Sequence, residues 1–191
     1  CMAFVYAAPN LSKQQIPRAS EHQFKERDVQ HWWHPPPDRG LHPSLSDDLL
    51  WLPFVVSFYI RVTGDHSILK EKTFFLEAPE LKPEEEDSYT LPQVSTESAT
   101  LLEHCLRALN HSLVLGQHGL PLIGTGDWND GMNRIGSHGQ GESIWLGWFL
   151  SRVLADFLPH CEHPEIYLAH IEKLKTALEK NGWDGDWYKR A

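Results

Sequence analysis

Glu142-Ser143-Ile144-Trp145-Leu146-Gly147-Trp148-Phe149-Leu150-Ser151-Arg152-Val153-Leu154-Ala155-Asp156-Phe157-Leu158 is the stretch whose spacing decides the fold. Two apolar ridges run through it, Trp145, Phe149, Val153, Phe157 and Leu146, Leu150, Leu154, Leu158. Both step by four residues, so the spacing predicts a helix apolar on more than one side, ended by Pro159. Such a helix belongs in a layer of helices. Downstream, Pro164 opens a second helix through Tyr167, Ile171, Leu174 and Leu178 that ends at Asn181-Gly182. Upstream, Ser46 with Asp47 and Asp48 precedes the apolar run Leu49 to Ile60, where acids complement the dipole of a first turn. Pro53 either starts the regular part of that helix or kinks it. Leu102, Cys105, Leu106, Leu109 and Leu113 form a stripe at helical spacing, with Ser95 or Thr96 as cap and Gly116 near the stop. A weaker helical segment, Ser12 to Lys25, is broken by Pro17. No convincing run of strands emerges. The fold class read from the residues is all-α, with long polar-aromatic loops gathered at one end.

Composition narrows the function classes. The 191 residues carry 17 basic and 26 acidic side chains, a net charge of −9, with 41% hydrophobic residues. That supports a packed core and argues against nucleic acid as partner, because phosphate backbones call for clustered Lys and Arg. Three cysteines (Cys1, Cys105, Cys161) are too few for a disulfide scaffold, and a reducing compartment is the expectation. The apolar run ending at Ile60 is shorter than the ~20 residues needed to span a bilayer. Eight Trp and twelve His stand out. An indole offers a flat face and one donor, suited to stacking on a sugar ring as well as to filling a core.

The chemistry concentrates in loops. Gly124-Thr125-Gly126-Asp127-Trp128-Asn129-Asp130-Gly131-Met132-Asn133 sets two carboxylates, two amides and an indole between glycines, a set suited to hydrogen bonding a polyhydroxylated ligand. A carboxylic acid beside Trp can act as the general acid for a glycosidic oxygen. The same residues also fit a turn in which Asp127 and Asn129 bond their own backbone. In His31-Trp32-Trp33-His34-Pro35-Pro36-Pro37 two histidines stand three apart, but the proline run forbids a continuing helix and no third ligand lies at useful spacing, so no metal site is read here. Asp47 and Asp48 point about 100° apart on a first turn, so one of them can face a pocket. Glu84-Glu85-Glu86-Asp87 reads as a solvated turn. There is no nucleotide-binding glycine loop and no serine elbow.

Taken together, Asp28-Val29-Gln30-His31-Trp32-Trp33-His34-Pro35-Pro36, Ser46-Asp47-Asp48-Leu49-Leu50-Trp51-Leu52-Pro53, Gly119 to Asn133 and Gly141-Glu142-Ser143-Ile144-Trp145-Leu146-Gly147 resemble glycoside hydrolase family 94. That family holds cellobiose and chitobiose phosphorylases and the C-terminal part of cyclic β-1,2-glucan synthases. Met2 to Ala7 and Trp183-Asp184-Gly185-Asp186-Trp187-Tyr188 also look familial, so the match covers nearly the whole chain. The resemblance implies a partial (α/α)6 barrel, with residues 1–191 a fragment of one catalytic domain truncated at both ends. It implies inverting phosphorolysis of a β-glucoside to an α-sugar 1-phosphate. Inverting hydrolases need an acid and a base, whereas a phosphorylase needs the acid alone because phosphate is the nucleophile. By resemblance Asp130 is the general acid, Trp128 lines the sugar subsite, Asp48 bonds that sugar's hydroxyls, and Asp127 shapes the loop. No metal or organic cofactor is implied, only inorganic phosphate as co-substrate beside a β-linked oligosaccharide or glucan.

Departures from the family pattern fall near the phosphate side. His42 and Ser44 stand where the family tends to have arginines, and Arg27 where it tends to have glycine. A neutral imidazole has one donor where guanidinium has five. Arg39 lies nearby at another position and is a candidate substitute, so His42 and Arg39 join the expected substrate-binding set. The rival readings are a carbohydrate-binding remnant without turnover and a water-using inverting hydrolase. The expected setting is cytoplasmic, including the cytoplasmic part of an inner-membrane synthase, with a homodimer if the parent is a free phosphorylase. A cut toroid would also leave the Trp145 to Phe157 face exposed.

Overall fold

The computed structural model describes residues 1–26, 28–36, 38–42, 45–79, 87–136 and 138–191. The chain forms two compact units, one of Cys1–Ser44 with Trp51–Ala108, the other of Leu45–Leu50 with Leu109–Ala191. About half of it is helical.

In the first unit, α1 (Met2–Ala7) leads into α2 (Pro9–Ser20), whose Pro9 sits where its missing N–H costs nothing. The expected break at Pro17 does not occur. The helix continues through it because only one intrahelical bond is forfeited while Ile16, Ser12 and Ser20 are buried. Strands β1 (His31–His34) and β2 (Arg39–Leu41) follow, then α3 (Asp48–Thr63), which runs unbroken through Pro53 and of which Asp48–Leu50 belongs to the second unit. Next come β3 (Lys72–Glu77), β4 (Tyr89–Thr90), β5 (Gln93–Thr100) and α4 (Leu101–His111), whose last three residues belong to the second unit. The sheets are antiparallel, in the orders β1-β2-β4 and β3-β5.

These strands correct the all-α expectation, and their chemistry explains why they were not legible. The β1–β2 register shifts between His31 and His34, where Trp32 takes φ +45°, and although burial alternates along β1 its residues His-Trp-Trp-His carry no matching apolar–polar alternation. In β5 the one buried side chain is Ser95, which donates to Glu77 at 2.6 Å, so no apolar alternation marks the strand. Ser95 and Thr96 therefore do not cap the stripe helix. Thr100 does, accepting from the Glu103 N–H at 3.2 Å, and the helix stops at His111, five residues short of Gly116.

Under the β3–β5 pair lies a buried polar relay. Ser20 and Thr73 hydroxyls are 2.8 Å apart, Thr73 Oγ1 is 3.0 Å from His104 Nε2, and His104 Nδ1 is 2.6 Å from Gln23 Oε1. The amide oxygen of Gln23 can only accept, so Nδ1 carries the proton and Nε2 receives the Thr73 hydroxyl. Phe75 stacks on the imidazole at 4.0 Å, and Arg107, held by Glu97 and Glu103, lies 4.6 Å from the Phe75 ring. Burial holds His104 neutral and pushes its pKa down to about 4.

In the second unit, α5 (Asn133–Gly136) is one short turn, and α6 (Ile144–Phe157) and α7 (Pro164–Ala177) are the packed pair. Ser143 caps α6 by accepting the Leu146 N–H at 3.0 Å, and Glu142, read as the first helical residue, lies just outside the helix. Leu158–His160 adds a 3-10 turn after α6, and a π-helical turn, Leu178–Gly182, closes α7. Leu146, Leu150, Leu154, Leu174 and Leu178 are buried between them. The ridge expected to be exposed is not: Val153 and Phe157 are fully buried, Trp145 and Phe149 half-buried. Among the described residues no helix is long and apolar enough to cross a membrane, and the cysteines are free thiols.

The neutral state of His104 makes stability pH-dependent. An unfolded imidazole takes a proton near pH 6.5, whereas the native one resists until about pH 4. Its contribution is therefore complete above pH 6.5 and drains away as pH falls toward 4, by on the order of 3 kcal/mol. Urea unfolding across that range shows this loss in the native protein and a flatter profile in His104→Gln. Parallel profiles would remove His104 as the cause.

Candidate active-site loop

The two acidic motifs, some eighty residues apart in sequence, meet through backbone bonds. Leu45 bridges to Gly124 and Gly126, the Ser46 N–H donates to the Gly126 carbonyl at 3.0 Å, and Ser46 Oγ lies 3.1 Å from the carbonyls of both Ile123 and Gly126. This stitch sets Asp47 and Asp48 beside the glycine-rich loop. Asp47 is buried, and its carbonyl accepts the Leu50 N–H at 2.9 Å. Asp48, the first residue of α3, is half-buried, and it is the acid of the pair that retains access to solvent.

Within Asp127-Trp128-Asn129-Asp130 the side chains divide sharply. Asp127 is wholly buried. Its Oδ2 accepts Ser143 Oγ at 2.6 Å and Arg190 Nη1 at 2.8 Å, and its Oδ1 accepts Arg190 Nη2 and the Asn129 N–H. Burial would raise the pKa of this carboxyl, but the guanidinium, the hydroxyl and the amide outweigh it and hold it below the ordinary value. Asn129 in turn accepts the Gly131 N–H at 3.1 Å and caps the short 3-10 turn Asp130–Met132. Trp128 is 66% exposed, and Asp130 is exposed at the head of that turn. The turn reading of the motif holds. Asp127 and Asn129 do bond backbone as in a turn, and that turn presents Trp128 and Asp130 outward.

A second buried carboxylate holds the neighbouring loop. Glu142 accepts the N–H groups of His118 and Leu120 at 3.0 and 3.1 Å and lies 2.5 Å from His118 Nδ1. Two glycines seal the far side of the site loop. A Cβ on Gly136 would strike the Gly124 carbonyl, and one on Gly141 would strike that of Ile135.

His42 and Arg39 lie in the first unit. The His42 backbone pairs with Ser88, its ring stacks on Phe24 at 4.0 Å, and Nε2 is 3.5 Å from Asp28 Oδ2, leaving the residue 3% exposed. Arg39 is exposed on β2 with its guanidinium 5.8 Å from the Tyr89 ring. Ser44, Arg27 and the run Glu84 to Glu86 lie outside the described residues. His31 is half-buried and His34 exposed on β1, and among the described residues no three His, Cys, Asp or Glu side chains group as a metal ion requires. Two cavities stand out, of about 610 Å³ beside His118, Lys173 and Lys180, and of about 330 Å³ beside His22, Gln30 and Phe74. Asp130, Trp128 and Asp48 line neither.

Sequence reasoning missed Arg190 and the roles of Ser143 and Glu142. A serine ahead of the α6 ridge was a readable cap signal. Nothing local marks Arg190, whose partner stands 63 residues away.

Gly136→Ala tests the loop closure. The new methyl meets a backbone carbonyl that cannot rotate away, so stability should fall by about 1–3 kcal/mol, read as a lower urea midpoint. An unchanged midpoint would mean that the loop is not closed at this contact.

All 191 residues match the family described as "Glycosyl hydrolase 94 superfamily, catalytic domain". The chain is 47% identical to the cyclic beta-(1,2)-glucan synthase NdvB of Rhizobium meliloti (strain 1021), over 99% of its own length and 7% of that protein. It is 32% identical to the solabiose phosphorylase of Paenibacillus borealis, over 96% of its length and 22% of the relative. It is 28% identical to an N,N'-diacetylchitobiose phosphorylase of Vibrio furnissii, over 79% and 17%. The chain thus spans less than a quarter of each of these relatives. The match over every residue and the 47% identity over 99% of the chain lead to one conclusion: the chain belongs to the glycosyl hydrolase 94 superfamily, as part of its catalytic domain.

Proposed function

We propose that this chain carries the acid of an inverting glycoside phosphorylase-type reaction, within a cyclic β-1,2-glucan synthase or a chitobiose- or cellobiose-type phosphorylase. The observation that supports it best is the division of labour in the loop. Asp127 has every oxygen engaged and is unavailable as a base, while Asp130, three residues on, is presented to solvent beside an exposed indole. One available acid in this motif suits a reaction whose nucleophile is already an anion.

In this reading the glucosyl (or N-acetylglucosaminyl) ring stacks on Trp128, and Asp48 bonds its hydroxyls. The seated sugar desolvates the Asp130 carboxyl. Asp130 then gives its proton to the glycosidic oxygen as the bond from that oxygen to the anomeric carbon breaks. A phosphate oxygen attacks the same carbon from the opposite face, giving the α-sugar 1-phosphate and the freed alcohol. Asp130 regains a proton from solvent. Arg39, exposed on β2, is assigned to the phosphate side, whereas the His42 ring is buried against Phe24 beside the Asp28 carboxylate and offers an anion no exposed donor. The chemistry calls for no metal or organic cofactor. The helices are read as part of an (α/α)6 barrel, and a reaction that consumes phosphate suits a cytoplasmic setting.

The test uses the full-length gene product with β-1,2-glucan, N,N'-diacetylchitobiose and cellobiose, followed by phosphorus NMR. Sugar 1-phosphate should form only when phosphate is present, and Asp130→Asn should lower kcat by about 10²–10⁴-fold. Free sugar released without phosphate would overturn the phosphorylase reading in favour of a hydrolase. Sugar binding with no turnover at all would favour a binding remnant. Arg39→Ala should raise the phosphate KM severalfold, and an unchanged KM would remove Arg39 from the phosphate side.

A further inference from the structure

Asp127 sits at the base of the loop, and what it holds depends on one distant side chain. Arg190 grips both oxygens of the buried carboxylate, donates to Ser143 Oγ at 3.1 Å, and through its own carbonyl accepts the Ile144 N–H at 3.3 Å. Its guanidinium lies 5.7 Å from the Trp145 ring. Ser143 is simultaneously the cap of α6. The guanidinium is thus fixed on a helix end while it fixes the carboxylate.

From Asp127 the bonds continue toward the exposed acid. Asp127 Oδ1 takes the Asn129 N–H at 3.1 Å, and Asn129 Oδ1 takes the Gly131 N–H at 3.1 Å. Those amides belong to the residues on either side of Asp130. We propose that Arg190 is a positioning residue for Asp130, acting through Asp127 and Asn129 to fix the backbone that flanks the acid. The proposal rests on the phosphorylase-type reading for its catalytic consequence, but the clamp itself is a property of the fold. Arg190 and Asp127 offset each other's charge, so the pair orients the loop without adding net charge to it. A guanidinium is required because only a planar fork reaches two carboxylate oxygens and a hydroxyl together, whereas the Lys ammonium is a point charge.

The full-length protein is compared with Arg190→Ala, Arg190→Lys and, at a solvent-facing pair elsewhere on α6, Arg152→Ala. Arg190→Ala should lower kcat on the order of 100-fold with the sugar and phosphate KM values nearly unchanged, because groups are misplaced and not removed. Millimolar guanidinium ion should restore part of that kcat in Arg190→Ala and nothing in Arg152→Ala. If Arg190→Ala does not fold, Arg190→Lys carries the test, with faster amide exchange at Asn129 and Gly131 and a smaller kcat loss. A kcat within twofold of wild type in the folded variants, or a KM rise that accounts for the whole loss, overturns the proposal. Should the native protein show no phosphate-dependent turnover, the proposed reaction fails. Exchange at Asn129 and Gly131 then decides the clamp by itself: acceleration in Arg190→Lys upholds it, and unchanged rates overturn it.

Discussion

The buried pair between Asp127 and Arg190 is the constraint on which the site loop depends. A carboxylate with no exposed surface is costly unless every lone pair finds a donor, and here four donors converge on it from a backbone amide, a serine and a guanidinium. Because leaving any of them unmade is costly, the arrangement that makes all four is favoured over those that do not. Its neighbours are then free to face outward. Exposed Trp128 and Asp130 are tolerable on a glycine-flanked turn because a fully satisfied residue anchors it from below.

Glu142 repeats the device one loop away. Asp127 accepts the Ser143 hydroxyl and Glu142 precedes Ser143 in sequence, and both carboxylates accept backbone N–H groups from chain that belongs to no helix or sheet, Asn129 for the one and His118 and Leu120 for the other. A long loop has many backbone donors and few partners, and a buried carboxylate supplies acceptors that a β-ladder would otherwise provide. The close approaches at Gly136 and Gly141 are the steric counterpart, for two backbones can touch there only where no Cβ intervenes.

The first unit solves a different problem by other means. Its short sheets bury little apolar surface in β5, and the Ser20–Thr73–His104–Gln23 relay ties α2, β3 and α4 together beneath them. A neutral imidazole suits this place because it can donate from one nitrogen and accept at the other. His42 shows the same preference for packing against an aromatic ring, with Phe24 taking the role that Phe75 plays for His104.

The sequence by itself determined the helices of the second unit and the membership of the loop motifs in a carbohydrate-active family. Those features are local: a ridge at i, i+4 or a proline at a first turn is written in neighbouring residues. It also identified which residue types of the loop suit a sugar, without saying which of Asp127 and Asp130 is buried. The tertiary structure decided that, because burial of Asp127 depends on Arg190, which no periodicity connects to it. The strands were likewise hidden, since β1 is bulged at Trp32 and β5 is polar on both faces, so their pairing exists only through partners distant in the chain. Local geometry propagates along a helix, but ladders and buried ion pairs are closed by residues that sequence spacing does not relate.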